Sequence, residues 1–290
     1  MKIAVASGKG GTGKTLIATS LALSLEKAVL VDCDVEEPNA HLLISPQWQL
    51  NQKVELPFPK VDLAKCNFCQ ECQRVCRFGA IVVLADQVLA FPELCHSCGA
   101  CSLICPSKAI SEEKRKIGEI RIGIKNGLEL IEGRLQIGEP MATPIIRELK
   151  RWVDKKDSTI ILDAPPGTSC PVIHTLRATD YALLVTEPTP FGLNDLILAV
   201  GVARKLALPI GLIVNKAGIG DKKVYAYAQE QNLPILLEIP EDRAIAEAYS
   251  KGKTLAEALP EYKERFQMVL DKMYLQAREN VRKAVGGSKR

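Results

Sequence analysis

Lys2-Ile3-Ala4-Val5-Ala6-Ser7-Gly8-Lys9-Gly10-Gly11-Thr12-Gly13-Lys14-Thr15, directly after Met1, decides the fold. The apolar run over residues 3–6 reads as a short buried strand. A glycine loop follows at once, and then a helical pattern from about Lys14 to Glu26. Strand, glycine loop and helix in that order are the context that a phosphate-binding loop requires. Glycines let backbone N–H groups turn toward phosphate oxygens, and the helix N-terminus adds its positive end. Within Gly8-Lys9-Gly10-Gly11-Thr12-Gly13-Lys14-Thr15, Lys14 can reach the β- and γ-phosphates and the Thr15 hydroxyl can ligate Mg²⁺. A plain glycine turn with two chance lysines is the alternative, but every position of the pattern is filled.

The same alternation continues along the chain. Ala28–Asp32, Thr159–Asp163, Tyr181–Thr186, Ile210–Asn215 and Ile235–Ile239 are apolar runs of the parallel-strand kind. Helical spacing falls at Thr143–Asp154 and Leu193–Leu206, then at 242–249 and from about 262 to 284. This alternation predicts an α/β fold: a mostly parallel sheet covered by helices on both faces. From Pro46 to Lys60 the pattern breaks at Pro46, Pro57 and Pro59, which reads as a linker. Glu119–Gln136 alternates apolar and polar residues about Asn126-Gly127, a hairpin signal. Residues 286–290 read as a frayed basic tail.

Composition narrows the function. The 290 residues are 47% hydrophobic and 25% charged, ordinary for a soluble globular chain. A net charge of +4 and 5% aromatics give no basic, base-stacking surface, so neither nucleic acid nor a membrane is an expected partner. The opening apolar run is too short for a signal peptide, and no window approaches the roughly 20 apolar residues of a membrane span. The expected location is therefore cytoplasmic, where ten cysteines argue for metal ligation, not disulfides.

Eight of those cysteines lie between Cys66 and Cys105. Cys66, Cys69, Cys72 and Cys76 follow C-x2-C-x2-C-x3-C, and Cys95, Cys98, Cys101 and Cys105 repeat it, with Pro106 after the last. This is the bacterial ferredoxin run written twice. In that run three thiolates share a [4Fe–4S] cluster and the fourth serves the other one. Cys66, Cys69, Cys72 and Cys105 are thus expected to hold one cluster, and Cys76, Cys95, Cys98 and Cys101 the other. A zinc ribbon would need two C-x2-C pairs, not two quartets. The first run departs from the pattern at Arg77, where proline is expected; this alters the following loop and removes no ligand. The expected organisation is an ATPase domain at 1–60 and 113–290 with a small α+β ferredoxin-like insert at 61–112. About 50 residues bury too little apolar surface to fold by packing alone, so the clusters should supply much of the insert's stability.

Lys9-Gly10-Gly11-Thr12-Gly13-Lys14-Thr15 resembles the deviant phosphate loop of the MinD/ParA/Mrp ATPases, which include the nitrogenase iron protein. The resemblance covers most of the chain outside the insert. It implies ATP and Mg²⁺ as ligands, an ATP-dependent homodimer, and a Lys9 that reaches the partner's nucleotide as an arginine finger does elsewhere. Val31-Asp32-Cys33-Asp34 looks like the family's first switch, which implies that Asp34 positions the attacking water and Asp32 sits near Mg²⁺; a solvated acidic loop is the alternative. Ile160–Gly167 looks like the second switch, with Asp163 on Mg²⁺ through water and Gly167 sensing the γ-phosphate. Val214-Asn215-Lys216 resembles the adenine-reading turn, and Pro240-Glu241-Asp242 the other wall of the base pocket. Asn215 as a simple turn cap is the competing reading.

Smaller signals weigh less. Cys170, seven residues after Asp163, stands where the nitrogenase iron protein has a cluster ligand, but no convincing second cysteine accompanies it, so a buried or reactive thiol is the better reading. Cys33 reads as a small strand residue, and His96 as a residue that can tune a cluster by hydrogen bonding. Tyr262, Phe266, Val269, Leu270 and Met273 share one helical face, expected to pack on the domain. The favoured function is a redox-linked ATPase with an unidentified redox partner protein. An Mrp-like iron–sulfur carrier is the second reading, and a positioning ATPase with redox-sensing clusters the third.

Overall fold

The computed structural model describes the backbone of residues 1–286 and the side chains of residues 1–280. The basic tail expected at 286–290 lies, beyond Gly286, outside the described residues. In chain order the elements are β1 (Lys2–Ala6), α1 (Lys14–Leu23), β2 (Ala28–Asp32), α2 (Ala40–Ile44), β3 (Gln47–Val61), α3 (Glu71–Val75), β4 (Ile81–Val83), β5 (Val88–Ala90), α4 (Ala100–Ile104), β6 (Ile110–Lys125) and β7 (Leu128–Leu135). Then follow α5 (Thr143–Val153), β8 (Thr159–Asp163), α6 (Cys170–Leu176), β9 (Tyr181–Thr186), α7 (Pro190–Lys205), β10 (Ile210–Ala217), α8 (Lys223–Glu230), β11 (Ile235–Pro240), α9 (Arg243–Ser250), α10 (Leu255–Ala258) and α11 (Pro260–Gly286).

Nine strands form one sheet in the order β11-β10-β9-β1-β8-β2-β7-β6-β3. From β11 to β7 all neighbours run parallel, which the continuous apolar runs of these strands require, since both their faces are covered. On one face Ile3, Leu30, Ile161 and Leu183 pack with Ile17 and Leu21 of α1 and with Tyr262, Phe266, Val269, Leu270 and Met273 of α11. The periodic face of the last helix is thus core. The opposite face is split between a cluster under α6, α7 and α8 and one under α5.

The largest departure from the sequence reading lies at Pro46–Lys60. Apart from Pro46, this segment is strand, not linker: β3 pairs antiparallel with β6 from Gln47↔Ile124 to Val61↔Ile110. The prolines misled because β3 is the edge strand, where a missing N–H can face away from the ladder. β6 then turns at Asn126 and Gly127, both with positive φ (49° and 84°), into β7. β3 and β6 therefore belong to the main sheet at one end and form a two-stranded ribbon at the other, with residues 62–109 at its tip. A small cluster of Cys72, Ile81, Val83 and Ile110 centres that tip.

Candidate functional site

The loop between β1 and α1 is built by its glycines. Gly13, at the N-cap of α1, sits at φ 83°, and Gly11 at φ 79°. A Cβ on Gly13 would lie 2.4 Å from Asn215 Nδ2, and one on Gly8 would lie 2.2 Å from the Asp195 carbonyl oxygen. The loop is also tied from outside. Asn215 Nδ2 donates to the Thr12 carbonyl at 2.8 Å, and Gly167 N–H donates to the Ser7 carbonyl at 3.1 Å. Gly167, itself at φ 89°, thus touches the start of the loop.

Lys14 is buried and its Nζ lies 3.2 Å from Asp163 Oδ1. Burial alone would lower its pKa, but Asp163, Asp34 and Asp32 together raise it, so it stays charged. Asp163 is fully buried, and its Oδ2 has no hydrogen-bond partner; the buried Thr12 Oγ1 has none either. Thr15 is the next residue along, also buried. Asp32 lies beside Asp163 in register on the neighbouring strand. Burial first and Asp163 second push its carboxyl well above the usual carboxylate range. Its oxygens accept backbone N–H groups from Asp34 (3.1 Å), Asn39 and Ala40 (both 3.0 Å), so Asp32 ties the switch loop and the start of α2. Asp34 is pushed up to about 6, mainly by burial, against the pull of Lys14. It lines a cleft with Glu36, Glu37, Pro165 and Pro166.

Lys9 does not point at Asp163. Its Nζ lies 3.0 Å from Glu187 Oε2, and Lys216 Nζ lies 2.5 Å from Glu187 Oε1. Glu187, just past β9, is nearly buried, and its two lysines lower its pKa despite the cost of burial. The sequence reading missed Glu187. A lone glutamate before Pro188 at the C-terminal end of an apolar strand was the available signal.

Asn215 and Pro240 do meet. With Gly11, Gly13, Leu16 and Ile245 they line a cleft of about 320 Å³ at the ends of β10 and β11. Its lining is mostly apolar, from Leu16, Pro240, Ile245 and Tyr249, with Asn215 and Asp242 as polar groups beside the loop glycines, a combination that suits a flat heterocycle.

At the ribbon's tip the duplication is structural as well as sequential. The shift of 29 residues that carries Cys66 to Cys95 also carries α3 onto α4. It likewise carries the positive-φ residues Phe68, Gln70 and Gly79 onto Ser97, Gly99 and Lys108. One cavity is lined by Cys66, Cys69, Cys72 and Cys105. A second is lined by Cys76, Cys95, Cys98 and Cys101. Backbone N–H groups point at the sulfurs in matching places: Phe68 to Cys66 and Ser97 to Cys95 (both 3.4 Å), Ala80 to Cys76 and Ala109 to Cys105 (both 3.3 Å). Among the described residues no three His, Cys, Asp or Glu side chains converge on one point, as a mononuclear site needs. Each cysteine quartet instead lines one cavity, and four thiols to a cavity is the ligand set that a [4Fe–4S] cluster takes.

The remaining candidates sort simply. Cys33 is fully buried, and burial raises its thiol pKa. Cys170 is exposed at the start of α6, which removes the buried reading. His96 stacks on Phe78, ring centroids 3.5 Å apart, at the wall of the second cavity. No helix among the described residues is long and apolar enough to cross a membrane.

A polar row runs from the nucleotide site across the sheet to β6. Asp163, Asp32, Glu132 and Arg121 are successive register partners across β8, β2, β7 and β6. Glu132 is fully buried and holds Arg121 Nη2 at 2.5 Å and Arg134 Nε at 3.2 Å, and His41 Nδ1 lies 2.7 Å from its other oxygen. Arg121 in turn lies 4.1 Å from the ring centre of Trp48 on β3.

The chain matches the family model of the CobQ/CobB/MinD/ParA nucleotide binding domain over residues 3–255. An uncharacterized protein of Methanocaldococcus jannaschii is 33% identical over 261 residues, 88% of this chain and 91% of its own length. A cytosolic Fe-S cluster assembly factor, the Nubp2 homolog of Anopheles gambiae, is 24% identical over 282 residues, 89% of this chain and 90% of its own. Among solved structures, the septum site-determining protein MinD of Pyrococcus horikoshii, complexed with Mg-ADP, is similar with a TM-score of 0.58. It is 20% identical, and the match covers 93% of this chain and 94% of that one, a likeness of fold.

Proposed function

Because the chain belongs to the CobQ/CobB/MinD/ParA nucleotide-binding family, we propose that it is an ATPase whose nucleotide state is coupled to one-electron chemistry at two [4Fe–4S] clusters. One observation supports the coupling above all. The strands that carry the cysteine quartets are strands of the ATPase sheet, and β6 bears Arg121, the far end of the polar row that begins at Asp163.

The chain's own residues divide the work. Gly10 to Thr15 present backbone N–H groups to the phosphates, and Lys14 supplies a fixed positive charge. Thr15, and Asp163 through water on its free Oδ2, with Asp32 behind them, would hold Mg²⁺, which would neutralise phosphate charge. The base enters the cleft between Asn215 and Pro240. Asp34, ionised above pH about 6, orients water for in-line attack and takes its proton. Lys9 is held by Glu187 in the single chain and exchanges that partner for the nucleotide of a second copy. The eight cysteines of residues 66–105 hold the clusters, which supply reversible one-electron transfer.

The test is ATP turnover by anaerobically purified protein, first with its clusters oxidised and then reduced. A change in turnover between the two states is expected; equal rates on a chain carrying iron and sulfide would refute coupling. The second reading, an iron–sulfur carrier, is favoured by the similarity to the Nubp2 homolog. It is separated by offering the loaded protein an apo acceptor: a carrier loses iron to it, an electron-transfer protein keeps it.

A further inference from the structure

The internal duplication lets the two cysteine cavities be compared position by position, and they differ where it matters electrically. Beside Cys105 the Ser107 hydroxyl lies 3.6 Å from the sulfur, in addition to the Ala109 N–H at 3.3 Å. The equivalent of Ser107 beside Cys76 is Phe78, so Cys76 receives the Ala80 N–H and no hydroxyl. The second difference lies on the wall. Val83 lines the first cavity, and its equivalent lining the second is Glu112. The Glu112 carboxylate lies over the loop between Cys98 and Cys101: a Cβ on Gly99 would stand 3.2 Å from its Oε1.

Glu112 is also left uncompensated. Its Oε1 accepts from the Ser102 hydroxyl at 3.0 Å, and no ion pair engages it among the described contacts. The first cavity has an acid too, Glu71, but Arg74 holds that carboxylate at 2.5 Å. The exposed cations Arg77 and Lys108 stand one near each site and line neither cavity, so they do not separate the two.

We propose that Ser107 and Glu112 split the two sites in reduction potential, the quartet of Cys66, Cys69, Cys72 and Cys105 taking an electron before that of Cys76, Cys95, Cys98 and Cys101. This rests on the two-cluster reading above. Reduction adds one negative charge to a cluster. A hydroxyl donor to a ligating sulfur favours the more negative, reduced state, and a nearby unpaired carboxylate disfavours it. Both differences act in the same direction. They make the cavity walled by Val83 and Ser107 the electron sink, and the one walled by Glu112, Phe78 and His96 the low-potential site.

The experiment is a potentiometric titration of the anaerobically reconstituted full chain at neutral pH, with dithionite as reductant and the reduced clusters counted by EPR. Two resolved one-electron steps are expected. Glu112→Gln should raise the lower step, and Ser107→Ala should lower the upper one. Each should move its reduction equilibrium about tenfold, which is about 59 mV for one electron. The steps should converge in both variants, from below in Glu112→Gln and from above in Ser107→Ala. Coincident potentials on a chain containing two clusters would overturn this inference alone. So would a Glu112→Gln shift in the upper step, or variants that move neither step. Reconstitution that yields no paramagnetic cluster on reduction would overturn the two-cluster reading with it.

Discussion

Replacing Gly13 by alanine asks whether the phosphate loop and the base cleft are one mechanical unit. Gly13 sits at φ 83°, and holding alanine in that left-handed region costs about 1–2 kcal/mol. The new Cβ would lie 2.4 Å from Asn215 Nδ2, so the amide must leave. With it goes the 2.8 Å hydrogen bond to Thr12, at a further cost of about 1 kcal/mol. Gly13→Ala should therefore lose about 2–3 kcal/mol in urea unfolding. Asn215→Ala should lose about 1 kcal/mol through the same bond. In the double variant that bond is lost once, so its cost should fall about 1 kcal/mol short of the sum. Both single variants should also weaken ATP binding in calorimetry, because Asn215 lines the cleft and Gly13 starts the helix. Costs that add within about 0.5 kcal/mol, or a Gly13→Ala protein as stable as the parent, would refute the linkage.

Five other outcomes are expected. Lys14→Ala should weaken ATP binding by about 1.5–3 kcal/mol, the value of a charge-assisted phosphate contact; unchanged affinity by calorimetry would contradict the site. Lys9→Ala should still bind ATP but fail to dimerise with it in light scattering. Glu187→Gln should dimerise a few-fold more readily, since releasing Lys9 from a partly exposed pair is worth about 0.5–1 kcal/mol; a weaker dimer would argue against Glu187 as the monomer's restraint on Lys9. For Asp34, the folded value of about 6 exceeds the unfolded value of about 3.9. The folded state thus binds the extra proton between those values, and stability of the nucleotide-free protein should fall as pH rises from about 4 to 6. Asp34→Asn should flatten that slope in denaturation midpoints measured across the window. Finally, anaerobic reconstitution should give about eight iron and eight sulfide per chain, and stoichiometric zinc without iron would contradict the cluster assignment.

The parallel core was legible because both faces of each central strand are covered. Ala28–Asp32, Thr159–Asp163 and Tyr181–Thr186 carry their burial in composition alone, and their limits coincide with the observed strands. The glycine loop was legible because few sequences satisfy strand, loop and helix together. β3 was not, because an edge strand buries little: apart from Val54 and Pro59 its residues are half-buried or exposed, so periodicity gives no signal and the prolines read as breaks. Glu187 was missed for a different reason. Its partners Lys9 and Lys216 are far from it in sequence, and only the juxtaposition of the ends of β1, β9 and β10 brings the three charges together. The row from Asp163 to Arg121 was invisible for the same cause, since register between strands is a property of the assembled sheet.

The ribbon of β3 and β6 has a mechanical meaning. A proline-rich tether would have let residues 62–109 swing freely and would have isolated them from events in the sheet. A hydrogen-bonded double strand is a stalk without a joint. Its ladder runs from Gln47↔Ile124 beside the sheet to Val61↔Ile110 at the tip, interrupted by bulges near Trp48 and Val54. Bulges concentrate twist, so the twist that sets the direction of the ribbon relative to the sheet's edge is localised at those points. The ninth strand of the sheet, β3, is thus also one rail of the stalk that carries the cysteine loops, and its other rail, β6, lies directly beside the strand that bears Glu132.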